Sequence, residues 1–486
     1  MLTNKLPIII QGGMGAGVSD WRLARAVSAT GQLGVVSGTA LDVIVARRLQ
    51  MGDTGGHVRR ALAAFPIAAV ADRILRRYFI PGGKALDAPF KSKPLPSERP
   101  SRPAVELLVA SSFAEVFLAR EGHDGAVGIN FLEKIQATLL PSLYGAMLAG
   151  VSCVLVGAGI PRSIPGALDR FACGDGVEIT LDVKGANSDD HFVAGFRPSE
   201  LWPATARPPA LTRPAFYAIV SSATLATMLV KKSNGRVDGF IVEGPTAGGH
   251  NAPPRGPLRL TEAGEPIYSE RDQPDLEEFR ALGLPFWLAG SYARPERVAE
   301  ALRCGAAGVQ VGTAFAYCDE SGLSREIREQ TLAMSKARTL RVFTDPTASP
   351  TGFPFKLVQL PGTLADPATP GRSARMCDLG YLRHAYKRPD GSLGWRCPAE
   401  PVADFVEKGG SEAETQGRKC LCNALLANIG LGQLRGQGGE KRELALVTSG
   451  DDVMEVARFL KPGSDSYRAV DVIEHLLYGA AELNVS

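Results

Sequence analysis

The sequence lacks the long apolar run that a membrane-spanning helix requires. No stretch reaches about 18 consecutive apolar residues, and the apolar segment Pro7–Ile10 follows the start without the basic, apolar and cleavage regions of a signal peptide. Cysteine is also scarce, at eight in 486 residues, which excludes a disulfide scaffold as the basis of the fold. These absences predict a cytoplasmic protein whose thiols are reduced.

The chain also lacks an excess of charge of either sign. It has 54 basic and 51 acidic residues, for a net charge of +3. This balance gives no electrostatic reason to expect binding to nucleic acid or to an anionic membrane. What the chain does have is apolar material, at 45% of its residues. That is enough for the core of one barrel-sized domain and a substantial additional segment.

Short apolar segments, separated by helix-length segments, recur through the first two thirds of the chain. Nine such segments are candidates for about eight parallel strands: Ile8–Ile10, Gly34–Val36, Gly125–Asn130, Cys153–Gly157, Val177–Asp182, Ala215–Val220, Val237–Val242, Pro285–Ala289 and Gly308–Gly312. Alternation on this scale predicts the α/β class and a (β/α)8 TIM barrel. A doubly wound open sheet is the alternative. The missing Gly-x-Gly-x-x-Gly after the first strand favours the barrel.

Two regions interrupt or extend this alternation. After the second strand we expect an insertion at about 50–103, in which His57–Tyr78 is helical and Lys84–Pro103 is an irregular excursion rich in Pro, Lys and Ser. Residues 336–486 are too many for a closing helix and form a C-terminal extension. Within it, we expect Pro346–Arg375 to wrap the barrel mouth and Val447–Gly479 to form two closing helices.

Glycine-bearing strand ends give the first indication of function. In a (β/α)8 barrel the carboxyl ends of the strands share one mouth, where the active site lies. That mouth would collect Gln11–Gly15, Asn130, Gly157, Glu243–His250, Gly290–Ser291 and Gly312–Thr313. Glycine lets the backbone approach a flat ligand closely, and the ends of the seventh and eighth strands often hold a phosphate on backbone N–H groups. A flat, phosphorylated ligand such as a flavin fits this pattern.

The stretch Glu243-Gly-Pro-Thr-Ala-Gly-Gly-His250 is the most informative. His250 is the only nearby residue whose proton moves near neutral pH. A satisfied histidine beside a glycine turn is the alternative. Glu243 has two interpretations, as an ion-pair or hydrogen-bond partner inside the mouth and as a catalytic carboxyl.

Four motifs carry a family likeness. Ile10–Met14, Ala247–His250, Ala289–Gly290 and Val311–Thr313 together resemble the nitronate monooxygenase family, once called 2-nitropropane dioxygenases, which includes FMN-dependent enoyl-ACP reductases. The likeness covers about residues 5–335. Thr344–Lys356 is similar to a longer subset, the enoyl reductase proteins that accompany polyunsaturated-fatty-acid and polyketide synthases.

The resemblance implies an FMN-binding barrel over residues 1–335 and a catalytic role for His250, as base or orienting group. In the reductases this histidine serves substrate or nicotinamide binding. The FMN contacts that it implies are Gly12, Gly13, Met14, Asn130, Gly248, Gly249, Gly290, Ser291, Gln310, Gly312 and Thr313. A structural amide that caps a strand end is the alternative for Asn130.

Three functions follow as hypotheses from the resemblance. The first is oxidation of alkyl nitronates with flavin and O2. The second is a trans-acting enoyl(-ACP) reductase that uses NAD(P)H and associates with a fatty-acid or polyketide synthase, with an acyl carrier protein as partner. The third is a non-catalytic flavin-binding partner of a synthase complex. The rigid turn Asn251–Gly256 is longer than the family's usual turn and weakens the case for the typical nitronate substrate. A homodimer is also expected.

Four of the cysteines lie in the C-terminal extension, at Cys377, Cys397, Cys420 and Cys422. Thiolates ligate zinc and iron–sulfur clusters, so a zinc ion or an iron–sulfur cluster is one hypothesis for this group. Reduced structural thiols and a redox pair are the other two.

Overall fold

Eight parallel strands close into a barrel in the computed structural model, which describes residues 6–368, 375–435 and 441–483. Each strand pairs with its neighbour in sequence, and the last pairs with the first. The strands are β1 (Ile9–Gln11), β2 (Leu33–Ser37), β3 (Val127–Leu132), β4 (Cys153–Gly157), β5 (Ala215–Val220), β6 (Gly239–Glu243), β7 (Phe286–Ala289) and β8 (Gly308–Val311). The predicted (β/α)8 barrel is confirmed.

Helices alternate with these strands and continue beyond them. The helices up to β8 are α1 (Trp21–Ser28), α2 (Leu41–Gln50), α3 (His57–Ala63), α4 (Ala68–Tyr78), α5 (Arg102–Arg120), α6 (Gln136–Leu148), α7 (Ile164–Ala172), α8 (Pro198–Leu201), α9 (Ala223–Lys232), α10 (Leu276–Ala281) and α11 (Pro295–Arg303). Those that follow are α12 (Thr313–Ala316), α13 (Arg325–Lys336), α14 (Val402–Glu407), α15 (Leu421–Ala427) and α16 (Ala469–Leu483). Short 3-10 helices span Glu270–Asp272, Glu412–Thr415 and Asp451–Phe459.

The barrel strands are mostly apolar because both of their faces are buried. Side chains alternate along a strand, so one set fills the barrel and the other set meets the helices. Ile241 and Trp287 belong to the interior cluster, whereas their neighbours Val242 and Leu288 pack in the outer core. This alternation fixes which residue of each strand end faces the mouth.

One predicted barrel strand was wrong. Val177–Thr180 lies outside the barrel and pairs antiparallel with Val193–Phe196. Its residues alternate between buried and exposed, because Glu178 and Thr180 reach solvent in a two-stranded ribbon. A barrel strand would bury both faces, and that place is taken by Ala215–Val220.

The insertion differs from its prediction in two ways. The helical region 57–78 is two helices, α3 and α4, with Pro66 between them, where a ring without an N–H cannot continue the helix. Residues 84–101 are irregular as expected, but they lead into the unpredicted helix α5, whose Pro103 sits in the first turn. That position tolerates proline.

The extension adds small sheets and helices. Val342–Asp345 pairs with Phe355–Val358, and the hairpin of His384–Lys387 with Leu393–Arg396 adds Val183–Lys184 as a third strand. Leu434–Arg435 pairs with Lys441–Arg442. Of the two predicted closing helices, the first is the 3-10 helix and the second is α16. Part of the predicted wrapping region, residues 369–374, lies outside the described residues.

Within the described ranges, no helix combines the length and the apolarity that a membrane crossing needs.

Candidate functional site

The floor of the site is a ring of eight residues, one from each strand end. They lie two positions beyond inward-facing core residues, so they face the mouth by the same alternation. All of them line one cavity, here called the mouth cavity, of about 240 Å³. The ring consists of Gly12, Ser37, Asn130, Gly157, Ile219, Glu243, Ala289 and Gln310. Half of the floor residues are therefore small, and four of the eight have polar side chains.

Three buried oxygen atoms around the mouth cavity have no hydrogen-bond partner among the described residues. They are Asn130 Oδ1, Ser291 Oγ and Gln310 Oε1. An unpaired buried polar atom costs about 1–3 kcal/mol, and such atoms are rare in proteins unless a ligand, ion or water completes them. All three residues were predicted as FMN contacts, so these oxygens fit a polar cofactor.

Bare backbone forms much of the wall. A Cβ on Gly13 would stand 1.8 Å from Asn130 Oδ1, and one on Gly248 would stand 2.6 Å from the backbone nitrogen of Gly450. Gly290 has φ +101°, a conformation that a side chain strains. These positions need glycine for close packing or for backbone conformation, and they leave smooth walls against which a flat ring can lie.

The ends of β7 and β8 carry small residues and hydroxyl groups, a donor chemistry that suits a phosphate. Gly290 and Ser291 both have positive φ, and the Ser291 hydroxyl has no partner. Thr313 begins α12 directly after Gly312. Backbone N–H groups at such turns bind anions.

A segment of the extension completes this end of the cavity, and the sequence analysis did not assign it. Residues 447–450 and Asp452 line the cavity. Gly249 N donates to Thr448 Oγ1 at 2.9 Å, and Gly450 N donates to Thr313 Oγ1 at 3.0 Å. The sequence pattern that could have indicated this segment is Thr448-Ser-Gly-Asp-Asp452, in which hydroxyl residues and a glycine precede the start of a helix.

His250 is held by the extension as well. Its Nε2 lies 2.6 Å from Ser349 Oγ, and its ring meets the Phe355 ring edge-on, with centroids 4.7 Å apart. Burial, and secondarily the nearby Lys134 ammonium, lower the pKa of His250 to about 3. The imidazole is therefore neutral at physiological pH and has a fixed orientation.

Glu243 is the acidic group of the floor. It forms no hydrogen bond or ion pair with its side chain among the described residues. Burial raises the pKa of Glu243 to about 7, because a carboxylate is poorly solvated there. A substantial fraction of these carboxyl groups therefore carries a proton at neutral pH.

Lys134, in the loop after β3, is a further charged group near His250 that the sequence analysis missed. Its Nζ is buried without a hydrogen-bond partner among the described residues and lies 3.6 Å from the centroid of the Phe353 ring. Burial lowers the pKa of Lys134 to about 8.

The four cysteines of the extension meet beside the mouth cavity, and Cys422 lines that cavity as well. Cys377, Cys397, Cys420 and Cys422 line a second, small cavity. The described residues contain no group of three or more His, Cys, Asp or Glu side chains that could hold a metal ion. The predicted zinc ion or iron–sulfur cluster therefore has no support.

The other predicted site residues come together. His250 and all eleven predicted FMN contacts line the mouth cavity. Their roles stay predictions, since placement alone does not assign chemistry.

Comparison with known proteins supports the family likeness. The nitronate monooxygenase family model matches residues 210–347, which include β5 to β8, His250 and the glycine ends at Gly290 and Gly312. The resemblance predicted from the sequence is confirmed. No curated protein matches the chain.

Three similar solved structures span nearly the whole chain. FabK from Thermotoga maritima has 16% identity and a TM-score of 0.48, covering 100% of this chain and 96% of that one. A nitroalkane oxidase from Streptomyces ansochromogenes has 16% identity and a TM-score of 0.43, covering 99% of this chain and 97% of that one. The enoyl reductase domain of MlnA, from the macrolactin biosynthesis cluster of Bacillus amyloliquefaciens, has 12% identity and a TM-score of 0.45, covering 99% of this chain and 95% of that one.

Proposed function

We propose that this chain is an FMN-dependent oxidoreductase of the nitronate monooxygenase type. The family-model match over residues 210–347 supports the class. The observation that carries the proposal is the set of unpartnered buried oxygens of Asn130, Ser291 and Gln310 around one glycine-walled cavity at the barrel mouth. That donor and acceptor set fits a flat polar ring with an anionic end.

Different residues of the cavity would contact different parts of FMN. The bare backbone at Gly12, Gly13 and Gly248 suits the ring, and the amides of Asn130 and Gln310 suit its polar edge. The turns Gly290–Ser291 and Gly312–Thr313 suit the phosphate. When bound, the flavin supplies the redox chemistry, while the protein supplies position and electrostatics.

His250 is proposed to orient the substrate beside the flavin. A base with a pKa of about 3 is a weak proton acceptor at pH 7, because general-base catalysis works best with a pKa near the working pH. A neutral imidazole can instead donate its N–H to an anionic oxygen. This favours the orienting role over the base role.

Glu243 is the better-suited proton carrier of the site. Its pKa of about 7 lies where a carboxyl can both hold and release a proton at neutral pH. It stands on the floor, in register with Ala289 of the next strand. We propose that Glu243 exchanges a proton with the reacting partners bound above it.

Alkyl nitronates, with O2 as the oxidant, are the first proposed substrates. An enoyl thioester, reduced at the expense of NAD(P)H, is the second candidate, and one observation favours it. Ser349, in the segment that resembles the longer reductase subset, lies 2.6 Å from His250 Nε2. The extension is therefore built into the site. An acyl carrier protein partner, a homodimer and a cytoplasmic location stay predictions.

Absorption spectroscopy of the purified protein tests the proposal. We expect a flavin spectrum, or its appearance on adding FMN, and then anaerobic bleaching on titration with NADH, NADPH or propyl nitronate. Bleaching by the nitronate alone favours the oxidase chemistry, and bleaching by NAD(P)H favours the reductase. Protein that binds FMN but is bleached by none of them supports a non-catalytic flavin protein. Protein that takes up no FMN contradicts the proposal.

A further inference from the structure

Half of the cysteines of the chain meet in one place, here called the cysteine cluster. Cys377, Cys397, Cys420 and Cys422 line a cavity of about 10 Å³, which is close to the space that one water occupies. The other four cysteines lie elsewhere in the barrel. Thiols separated by 45 sequence positions or fewer therefore converge, and the proposed flavin chemistry uses none of them.

Two members of the cluster lie close to each other. Cys377 and Cys397 line the same small cavity, and the interaction between their thiols is the largest cause that lowers the pKa of Cys377. The cations of Arg383 and Lys408 act in the same direction. Cys397 is buried, and the same interaction and its burial raise the pKa of Cys397.

The remaining two thiols differ from this pair. Cys420 donates to the Met376 carbonyl at 3.5 Å and accepts from Asn423. Burial raises the pKa of Cys420 to about 11 and that of Cys422 further. Because the thiolate is the reactive form, the lowered pKa makes Cys377 the most reactive thiol of the cluster, and Cys397 lines the same small cavity.

We propose that Cys377 and Cys397 form a reversible disulfide when a low-molecular-weight disulfide, such as oxidised glutathione, is the oxidant. The Cys377 thiolate attacks one sulfur of the oxidant, forms a mixed disulfide and expels one glutathione thiolate. Cys397 then loses its proton, attacks the Cys377 sulfur and expels the second glutathione thiolate. Two electrons pass from the protein to the oxidant, which is reduced to two thiols.

The position of the cluster gives this step a consequence. Leu382, Leu421 and Cys422 line both the cysteine cavity and the mouth cavity, so a single layer of residues separates them. Tyr381, which also lines the mouth cavity, lies in the segment that the disulfide would close. We infer that oxidation restrains this wall of the mouth cavity. The disulfide itself does not depend on the proposed flavin function.

Peptide mass spectrometry tests the proposal on the full-length protein. The protein is equilibrated with mixtures of reduced and oxidised glutathione, quenched with acid, alkylated and digested. We expect a peptide pair linked through Cys377 and Cys397 that accumulates as the oxidised share rises and disappears when reduced glutathione is restored. In Cys397→Ser, Cys377 should carry glutathione instead. In the matched control Cys420→Ser, the linked pair should still form.

Two results would overturn the proposal, and both are read on the unmutated chain. One is glutathione on the exposed Cys173 under conditions in which no pair linked through Cys377 and Cys397 forms. The other is about one equivalent of zinc or iron per chain in freshly prepared protein, with the four thiols protected from alkylation until a chelator is added.

Discussion

At the scale of single residues, the site depends on a histidine that its surroundings keep neutral. Ser349 fixes the Nε2 side of His250, and the Phe355 ring packs against the imidazole. Burial and Lys134 both disfavour the imidazolium. The same residue can therefore orient an anion without titrating in the physiological range. The sequence predicted the histidine but not its support, because Ser349 is 99 positions away.

We expect His250→Ala to retain FMN and to lower kcat/KM by about 10², the size of loss seen when one donor to a developing negative charge is removed. Ser349→Ala should lower it by about tenfold, because one hydrogen bond that orients the ring is lost. Steady-state kinetics and the flavin absorbance measure both quantities. The exposed His191 is the control, and His191→Ala should match the unmutated protein. Unchanged turnover in His250→Ala would remove this residue from the mechanism.

The raised pKa of Glu243 predicts that the stability of the folded protein depends on pH. Its pKa is about 7 in the folded protein and about 4.3 in an unfolded chain, so the folded state binds the proton more tightly. Its contribution to stability is complete below about pH 4.3 and is lost as the pH rises through about 7. At about pH 8.5 we expect the Tm of Glu243→Gln to lie about 2 °C above that of the unmutated protein. At about pH 5 the two Tm values should be nearly equal.

Thermal unfolding at the two pH values measures this difference. Glu262→Gln, at an exposed position, is the control and should change Tm equally at both. A Tm difference between Glu243→Gln and the unmutated protein that does not grow with pH would contradict the raised pKa.

At the scale of elements, segment 447–452 acts as part of the barrel mouth. Its backbone and hydroxyl groups bond the loop after β6 and the start of α12, and its Ser449 hydroxyl lies 2.7 Å from the buried Tyr317 hydroxyl. The loops of a bare barrel would leave this side open. The extension therefore supplies a wall of the site. Its helix α16 also packs against α11 of the barrel.

Gly248→Ala tests the contact between this segment and the β6 loop. The new Cβ would stand 2.6 Å from the Gly450 backbone nitrogen, so the segment must shift away from the cavity. We expect FMN affinity to fall by about tenfold or more, equivalent to about 1.4 kcal/mol, as measured by fluorescence titration. Gly244→Ala is the matched control in the same loop, because its Cβ would meet only the Ala289 carbonyl at 3.6 Å. Equal losses in both variants would argue against the contact.

The elements that the sequence predicted and those that it missed differ physically. Cys153–Gly157 was predicted with the right bounds, because a fully buried apolar run is a local signal. Val177–Thr180 failed because its alternation of apolar and polar residues belongs to a half-exposed ribbon. The mouth residues were predicted from strand ends, whereas segment 447–452 needed long-range contacts that no local pattern contains.

At the scale of the whole molecule, the insertion and the extension interlock beside the site. The Lys93 ammonium lies 2.8 Å from the Asp42 carboxylate, with side-chain exposures of 7% and 4%. Asp42 also accepts a hydrogen bond from Tyr381, which lines the mouth cavity. One buried carboxylate thus joins α2, the insertion and the extension. The boundaries between a barrel at 1–335 and an extension at 336–486 stay a prediction.

We expect Asp42→Asn to lower the free energy of unfolding by about 3 kcal/mol or more, because it leaves the Lys93 ammonium buried without its partner. Urea denaturation followed by fluorescence measures the change. Glu200→Gln, which removes the exposed pair with Arg197, should cost less than about 1 kcal/mol. A loss of similar size in both variants would show that the buried pair adds no particular stability.

The hydrogen bond from Gly249 N to Thr448 Oγ1 crosses 199 sequence positions. During synthesis the eighth strand emerges from the ribosome well before Thr448 does, so the nascent barrel can close while its pocket still lacks a side. Cofactor capture is then a late event in the life of each chain. A ribosome stalled after Val311 but before Thr448 should display a folded barrel that does not retain flavin.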